Sequence, residues 1–193
     1  MTRGLDELEA GLAHVRDAPT DHGRLGLIVR RPGLGEREVV DVAVLDLRDG
    51  LVGDNWRTRG SRLTPDGSAD PAKQLTMMNA RAAALVAGAE AGARWALAGD
   101  QLYLDFDLSE ANVGPGTTLA IGAAVIEVTD RPHLGCAKFA ARFGTDALRF
   151  VNSPVGRSLR LRGINARVLR PGTIRAGDTV RKVAVRAEAG AAP

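Results

Sequence analysis

The sequence predicts a mostly β protein, a barrel or sandwich with few helices, and three observations carry that prediction. From residue 99 onward, short runs rich in Val, Ile and Leu alternate with turn signals at Gly114-Pro115-Gly116, Gly122, Arg131-Pro132, Pro171-Gly172 and Gly177-Asp178. Two more strand-like runs lie before residue 50. Helical periodicity is confined to a few segments, without the regular strand–helix alternation of a doubly wound sheet. At 193 residues and 45% apolar content the chain is long enough to bury a substantial core.

The elements follow in order. Leu5, Leu8, Leu12 and Val15 recur at spacings of three and four, which predicts an N-terminal helix with one apolar stripe packed outside the barrel, ended by Pro19. Residues 1–22 are therefore a helix and hinge, and 23–185 the barrel domain. LGLIVRRP and EVVDVAVLDLRDG read as strands, with a hairpin across residues 32–35. Residues 55–73 form a polar loop containing Pro65, Gly67 and Pro71, long enough to be functional or mobile, with a tip open to proteolysis. The Ala-rich stretch 77–91 predicts the one internal helix, and FAARFGTDALRFVNSP a short helix ending near Pro154. Gly177-Asp178 predicts a hairpin turn, and residues 186–193 a flexible tail.

Composition removes several function classes. A single cysteine forms neither an internal disulfide nor a tetrahedral zinc cluster, which favours a reducing compartment. No apolar run approaches the roughly 20 residues that span a bilayer, and the N-terminus lacks the basic-then-apolar pattern of an export signal. The expected location is the cytoplasm, with no membrane partner. Net charge is +3, but the arginines are scattered and aromatics scarce, so no nucleic-acid surface is expected. Neither a Walker loop nor Gly-x-Gly-x-x-Gly is present, and His14, His22 and His133 lack metal-ligand spacing. Asp46, Asp54, Asp105, Asp107 and Asp130 stand at strand ends and turns, where Asp commonly satisfies backbone donors.

The chemistry concentrates in VIEVTDRPHLGCAKF, where Cys136 lies among Arg131, His133, Gly135 and Lys138. Cysteine acts as the thiolate, which neighbouring cations favour and apolar burial disfavours. The flanks favour a reactive thiol; a small buried hydrophobe is the other reading of a lone cysteine.

Several separated pieces then line up in order. LVGDNW (51–56), AKQLTMMN (72–79), AGDQLYL (98–104), LAIGAAVIEVT (119–129), GCAKF around Cys136 and RGINARVLRPGTIRAGDTV (162–180) together resemble the MOSC domain. This is the C-terminal domain of molybdenum-cofactor sulfurases, also found as stand-alone proteins. The resemblance covers roughly residues 25–183, and the order of the pieces makes it specific. It implies a mostly antiparallel β-barrel that binds molybdenum cofactor, or molybdopterin. Cys136 matches the cysteine that ligates molybdenum, a soft thiolate for a metal already held by sulfur.

The resemblance further implies reduction of N-hydroxylated compounds, or alternatively a sulfur carrier or cofactor-binding module using a cysteine persulfide. A partner is implied in either case, an electron-donor reductase or a sulfur donor protein, since the chain carries no flavin, haem or iron–sulfur motif. No pyridoxal phosphate is expected, because that cofactor belongs to a separate domain of the larger sulfurases. Arg131 and Lys138 are the candidates for the pterin phosphate. Asp100 and Gln101 stand where the family has Gly-Glu-Asn and keep a carboxylate and an amide for hydrogen bonding to the cofactor. His133 is a candidate proton donor in N–O cleavage, and Trp56 a candidate stacking wall. The chain departs from the family pattern at Asn55-Trp56, where a histidine is usual, and at Gly135, where a proline is usual. The glycine is expected to loosen the backbone before Cys136.

Overall fold

Gly11 breaks the N-terminal apolar stripe into two short helices, α1 (Leu5–Ala10) and α2 (Leu12–Arg16). A Cβ at Gly11 would sit 2.2 Å from Cδ1 of Leu85, so any larger residue at this corner would have to displace that side chain. The computed structural model describes residues 2–184; the tail expected at 186–193 lies outside them. After the helices come β1 (His22–Arg30), β2 (Glu38–Val40), β3 (Val42–Asp46), β4 (Gly50–Leu51) and the one-turn α3 (Trp56–Arg59). A 3₁₀ turn at Pro71–Lys73 leads into β5 (Leu75–Asn79), α4 (Ala80–Ala87), α5 (Ala93–Ala96) and β6 (Leu102–Asp105). The hairpin of β7 (Thr118–Ile121) and β8 (Ala124–Val128) precedes α6 (Ala137–Phe143), α7 (Thr145–Asn152) and α8 (Pro154–Ser158). The chain closes with β9 (Ile164–Arg170), β10 (Gly172–Arg175) and β11 (Thr179–Lys182).

Seven strands form a closed barrel in the order β1-β6-β5-β9-β8-β7-β11, with β11 pairing back onto β1. All neighbours are antiparallel except the parallel pair β5–β6, so the barrel is mostly antiparallel, as the resemblance implied. β2 pairs with β1 in register Arg30↔Glu38, and the connection over residues 31–37 makes the expected hairpin. A second sheet, β10-β3-β4, lies against the barrel.

Alternation along the strands feeds two cores. Leu25 and Ile28 of β1, Leu75 and Met77 of β5, and Leu102 and Leu104 of β6 fill the barrel interior. Leu27 and Val29, Met78 and Tyr103, on the opposite faces of the same strands, pack outward under the helices with Leu8, Phe139 and Phe143. A bulge between Leu25 and Leu27 resets the alternation of β1.

Local chemistry moved three boundaries. The internal helix begins at Ala80 because Asn79 caps it, its Oδ1 accepting from the backbone N–H groups of Arg81 (2.8 Å) and Ala82 (3.2 Å), so Met77–Asn79 complete a strand. The run EVVDVAVLD splits at Asp41, whose carbonyl accepts from Ala176 N, and its halves join different sheets. Gly177-Asp178 does not close a hairpin: β10 pairs with β3, whereas β11 enters the barrel. The turn bonds instead to β1, through Gly177 N to Leu25 O and Leu25 N to Asp178 O. No helix among the described residues is long and apolar enough to cross a membrane.

Gly163, just before β9, holds φ at +115°, and a Cβ there would lie 2.1 Å from the carbonyl oxygen of Met77. Gly163→Ala is expected to destabilise the protein by roughly 2 kcal/mol or more in urea unfolding, because a disfavoured φ and a backbone clash add.

Candidate functional site

The turn after α5 leaves four successive carbonyls, Ala96 to Gly99, facing outward from a helix end, where backbone acceptors lack intrahelical partners. Each receives a different arginine. Arg37 Nε donates to Ala96 O (3.2 Å), Arg142 Nη1 to Leu97 O, Arg162 Nη2 to Ala98 O (2.9 Å) and Arg31 Nη1 to Gly99 O (2.9 Å). Gly99 holds φ at +92°, which lets the carbonyl turn toward Arg31.

Two of these arginines form the floor of a cleft and are neutralised there. Arg31, with 5% of its side chain exposed, makes a bidentate pair with the fully buried Asp54 at 2.7 and 2.8 Å, and its backbone N–H also donates to Asp54. Arg162, 8% exposed, donates from Nη1 to Oδ2 of the fully buried Asp100 at 2.6 Å, and its guanidinium lies 5.2 Å from the Phe139 ring centre. The other Asp100 oxygen accepts from His133 Nε2 at 2.7 Å, so Nε2 carries the hydrogen. Burial opposes ionisation of Asp100, but Arg162 and His133 override it and hold the carboxyl at about 2. Burial, then the charge of Arg162, keeps His133 below its ordinary range and neutral.

Above this floor opens a cleft of about 430 Å³ lined by Arg31, Arg37, Arg59, Lys138, Arg142 and Arg162, with no carboxylate in the lining. Arg37 is lowered by burial and by the nearby Arg142 and Arg31, and Arg59 by burial and by Arg31, the signature of cations crowded against one another. Cys136, exposed and unpaired, lines the same cleft as the residue that caps α6. Its position is fixed from behind. Gly135 N donates to Asn152 Oδ1 (2.9 Å), and Asn152 Nδ2 donates to Gly135 O (3.1 Å). The glycine therefore does not loosen the backbone as its lack of a side chain suggested. It lets the segment press onto α7, where a Cβ would lie 2.8 Å from Leu148 Cδ1.

The residues singled out from the sequence are thus partly gathered and partly dispersed. Cys136 and Lys138 share the cleft, and Asp100 lies beneath it, both oxygens committed to Arg162 and His133. Gln101 is fully buried elsewhere, its Oε1 accepting from Thr76 N and Oγ1. Arg131 and His133 line a neighbouring cleft of about 310 Å³ that shares Arg162 as a wall, and Arg131 Nε lies 3.4 Å from Asp70. Trp56 is buried packing at the start of α3. The sequence reading missed Arg31, Arg37, Arg59, Arg142 and Arg162. The available signal was Arg31 and Arg162 standing beside apolar strand runs, where an arginine is buried only with partners.

Residues 94–181 match the model of the MOSC domain. Over these residues, somewhat less than half of its length, the chain is similar to a MOSC domain. The matched region runs from α5 into β11 and includes Asp100, Cys136 and Arg162, whereas Arg31, Asn55 and Arg59 lie before it. No curated protein matches the chain. The solved structures that resemble it include YuaD from Bacillus subtilis (15% identity, TM-score 0.58, 86% of this chain and 97% of that one) and two YiiM proteins. YiiM from Escherichia coli aligns at 21% identity and TM-score 0.53 over 86% of this chain and 72% of that one. YiiM from Geobacillus stearothermophilus aligns at 17% and 0.55 over 84% and 75%. These likenesses show the fold, a closed β-barrel with a few helices.

The His133–Asp100–Arg162 cluster makes the stability of this domain acid-sensitive in two windows. Unfolding returns His133 toward 6.5, so the unfolded chain binds the extra proton first and stability falls as pH drops below that value. Asp100 moves from about 2 to 3.8 on unfolding, which removes about 2 kcal/mol more as pH falls through that interval. Urea unfolding from pH 8 to 3 should show the upper loss abolished in His133→Gln, and Asp100→Asn should be destabilised already at pH 7 by about 3 kcal/mol, because Arg162 loses its buried counter-charge.

Proposed function

We propose that the Cys136 cleft holds molybdenum cofactor, with the Cys136 thiolate as a ligand to molybdenum, and that the protein reduces N-hydroxylated compounds with electrons from a separate donor protein. The observation that carries this reading is the coincidence of the chain's single cysteine, exposed and unpaired, with six cationic side chains around one cleft. That donor set fits the group. A phosphate-bearing ligand meets Arg37, Arg59, Lys138 and Arg142, the cations that make no direct ion pair with a buried carboxylate, and a sulfur-held metal meets a soft thiolate.

Bound there, the cofactor supplies a redox-active metal that passes electrons to the substrate. The protein's own groups do the rest. Arg31 and Arg162 keep the floor rigid through Asp54 and Asp100, and the Asn152 clamp on Gly135 sets the direction from which Cys136 enters. Cleavage of an N–OH group consumes two electrons and two protons and yields the amine and water. His133 does not line the Cys136 cleft, and its Nε2–H is committed to Asp100, so its part is to steady Arg162 through that carboxylate. The exposure of Cys136 also suits a second reading, a sulfur carrier whose thiol bears a persulfide received from a donor protein.

The test is the molybdenum and pterin content of protein made in a host able to synthesise the cofactor. Near-stoichiometric metal in the wild type, lost in Cys136→Ala and reduced in Arg142→Ala, is the expected result. Metal absent from the wild type, with a labile sulfur adduct on Cys136 by mass spectrometry, would replace the reductase reading with the carrier.

A further inference from the structure

Among the cations of the Cys136 cleft sits one neutral amide, that of Asn55, and its Oδ1 is buried without a hydrogen-bond partner. The residue is held firmly. Asn55 N donates to Arg31 O at 2.9 Å, Trp56 N donates to Asp54 Oδ1 at 2.9 Å, and Asp54 is itself locked by Arg31. A buried acceptor left unmet in a rigid setting is a place kept for a donor. The surrounding arginines already spend donors on carbonyls 96–99, and phosphate or oxo groups carry acceptors, which do not answer an amide oxygen. A second orphan is Arg162 Nε, a buried donor on a residue that also lines this cleft.

From these two atoms of opposite hydrogen-bond sense we infer that Asn55 is a specificity-determining residue: the cleft selects a ligand that joins an anionic group to a heterocycle presenting a ring N–H, with Asn55 Oδ1 accepting from that N–H. The inference rests on the Cys136 cleft being the ligand site, and it adds the recognition of the organic ring. Such an N–H edge belongs to the pterin of the cofactor or to a substrate base. The position is one where the chain departs from the family pattern, and the departure supplies a recognition group.

The experiment is a titration of metal-free protein with 6-carboxypterin, orotate and 2-naphthoate. The first two join a carboxylate to a ring N–H, and the third has the carboxylate and flat rings alone. Wild type should prefer one or both N–H-bearing probes over 2-naphthoate by about tenfold, the loss typical of one buried hydrogen bond. Stronger binding of 6-carboxypterin assigns the edge to the cofactor, and stronger binding of orotate to a substrate base. Asn55→Leu and Asn55→Ala should both erase the preference while leaving 2-naphthoate affinity unchanged, with thermal unfolding confirming that the variants fold. Equal binding of all three probes by wild type, or equal loss of all three in the variants, overturns the role of Asn55 and leaves metal retention through Cys136 untouched. Failure of every probe to bind wild type overturns the role of Asn55 and the ligand cleft together.

Discussion

Four arginines converging on four consecutive carbonyls organise this protein around its cleft. The carbonyls of residues 96–99 follow a helix end, where intrahelical donors run out, and beside the local bond from Gly99 N to Ala96 O each is met by a side chain 45 to 68 residues away in sequence. The exchange works in both directions. The turn gains its missing donors, and the arginines gain fixed positions that their long side chains would not hold in water. Because Arg31 arrives from the end of β1, Arg37 from the hairpin loop, Arg142 from α6 and Arg162 from the turn before β9, one short turn ties the barrel to the helices.

Much of the fold was legible because it depends on local signals. Glycines and prolines marked the turns, and strand runs rich in Val, Ile and Leu marked most of the barrel. The errors arose where a tertiary partner decided the outcome. Asp41 and Gly177-Asp178 look like continuous strand and hairpin turn, but hydrogen bonds from other elements assign their flanks to separate sheets. Met77–Asn79 carry the residues of a helix, yet Asn79 is a better cap than helix residue, and β9 and β6 offer pairing partners on both sides.

That Cys136 and Lys138 would lie together was legible, and the rest of the cleft around them was not, for the same reason. A cysteine beside cations is a pattern within five residues, whereas a cationic cleft built from residues 31, 37, 59, 138, 142 and 162 has no sequence window that contains it. Arg131 illustrates the converse error. Nearness in sequence placed it with Cys136, but the chain between them crosses from one cleft to the other, so Arg131 faces Asp70. Gly135 was misjudged because its conformational freedom counts only where nothing restrains it, and Asn152 restrains it with two hydrogen bonds.

Charge in the cleft is graded with depth, and that grading bears on how an anionic ligand would be oriented. At the floor, Arg31 and Arg162 are buried and cancelled by Asp54 and Asp100, so they act as rigid hydrogen-bond donors with little net field. Toward the lip, Arg37, Arg59, Lys138 and Arg142 make no ion pair of that kind, Asp54 relieves Arg37 and Arg59 only from a distance, and an anion from outside would relieve the crowding further. An incoming ligand is therefore drawn by its most charged group to the lip, beside Cys136, while its less charged part goes deeper, where unmet polar atoms such as Asn55 Oδ1 and Arg162 Nε discriminate by hydrogen bonding. Attraction at the rim sets orientation and hydrogen-bond matching below sets identity. Affinity for simple anions should accordingly be a poor guide to what this cleft was built to hold.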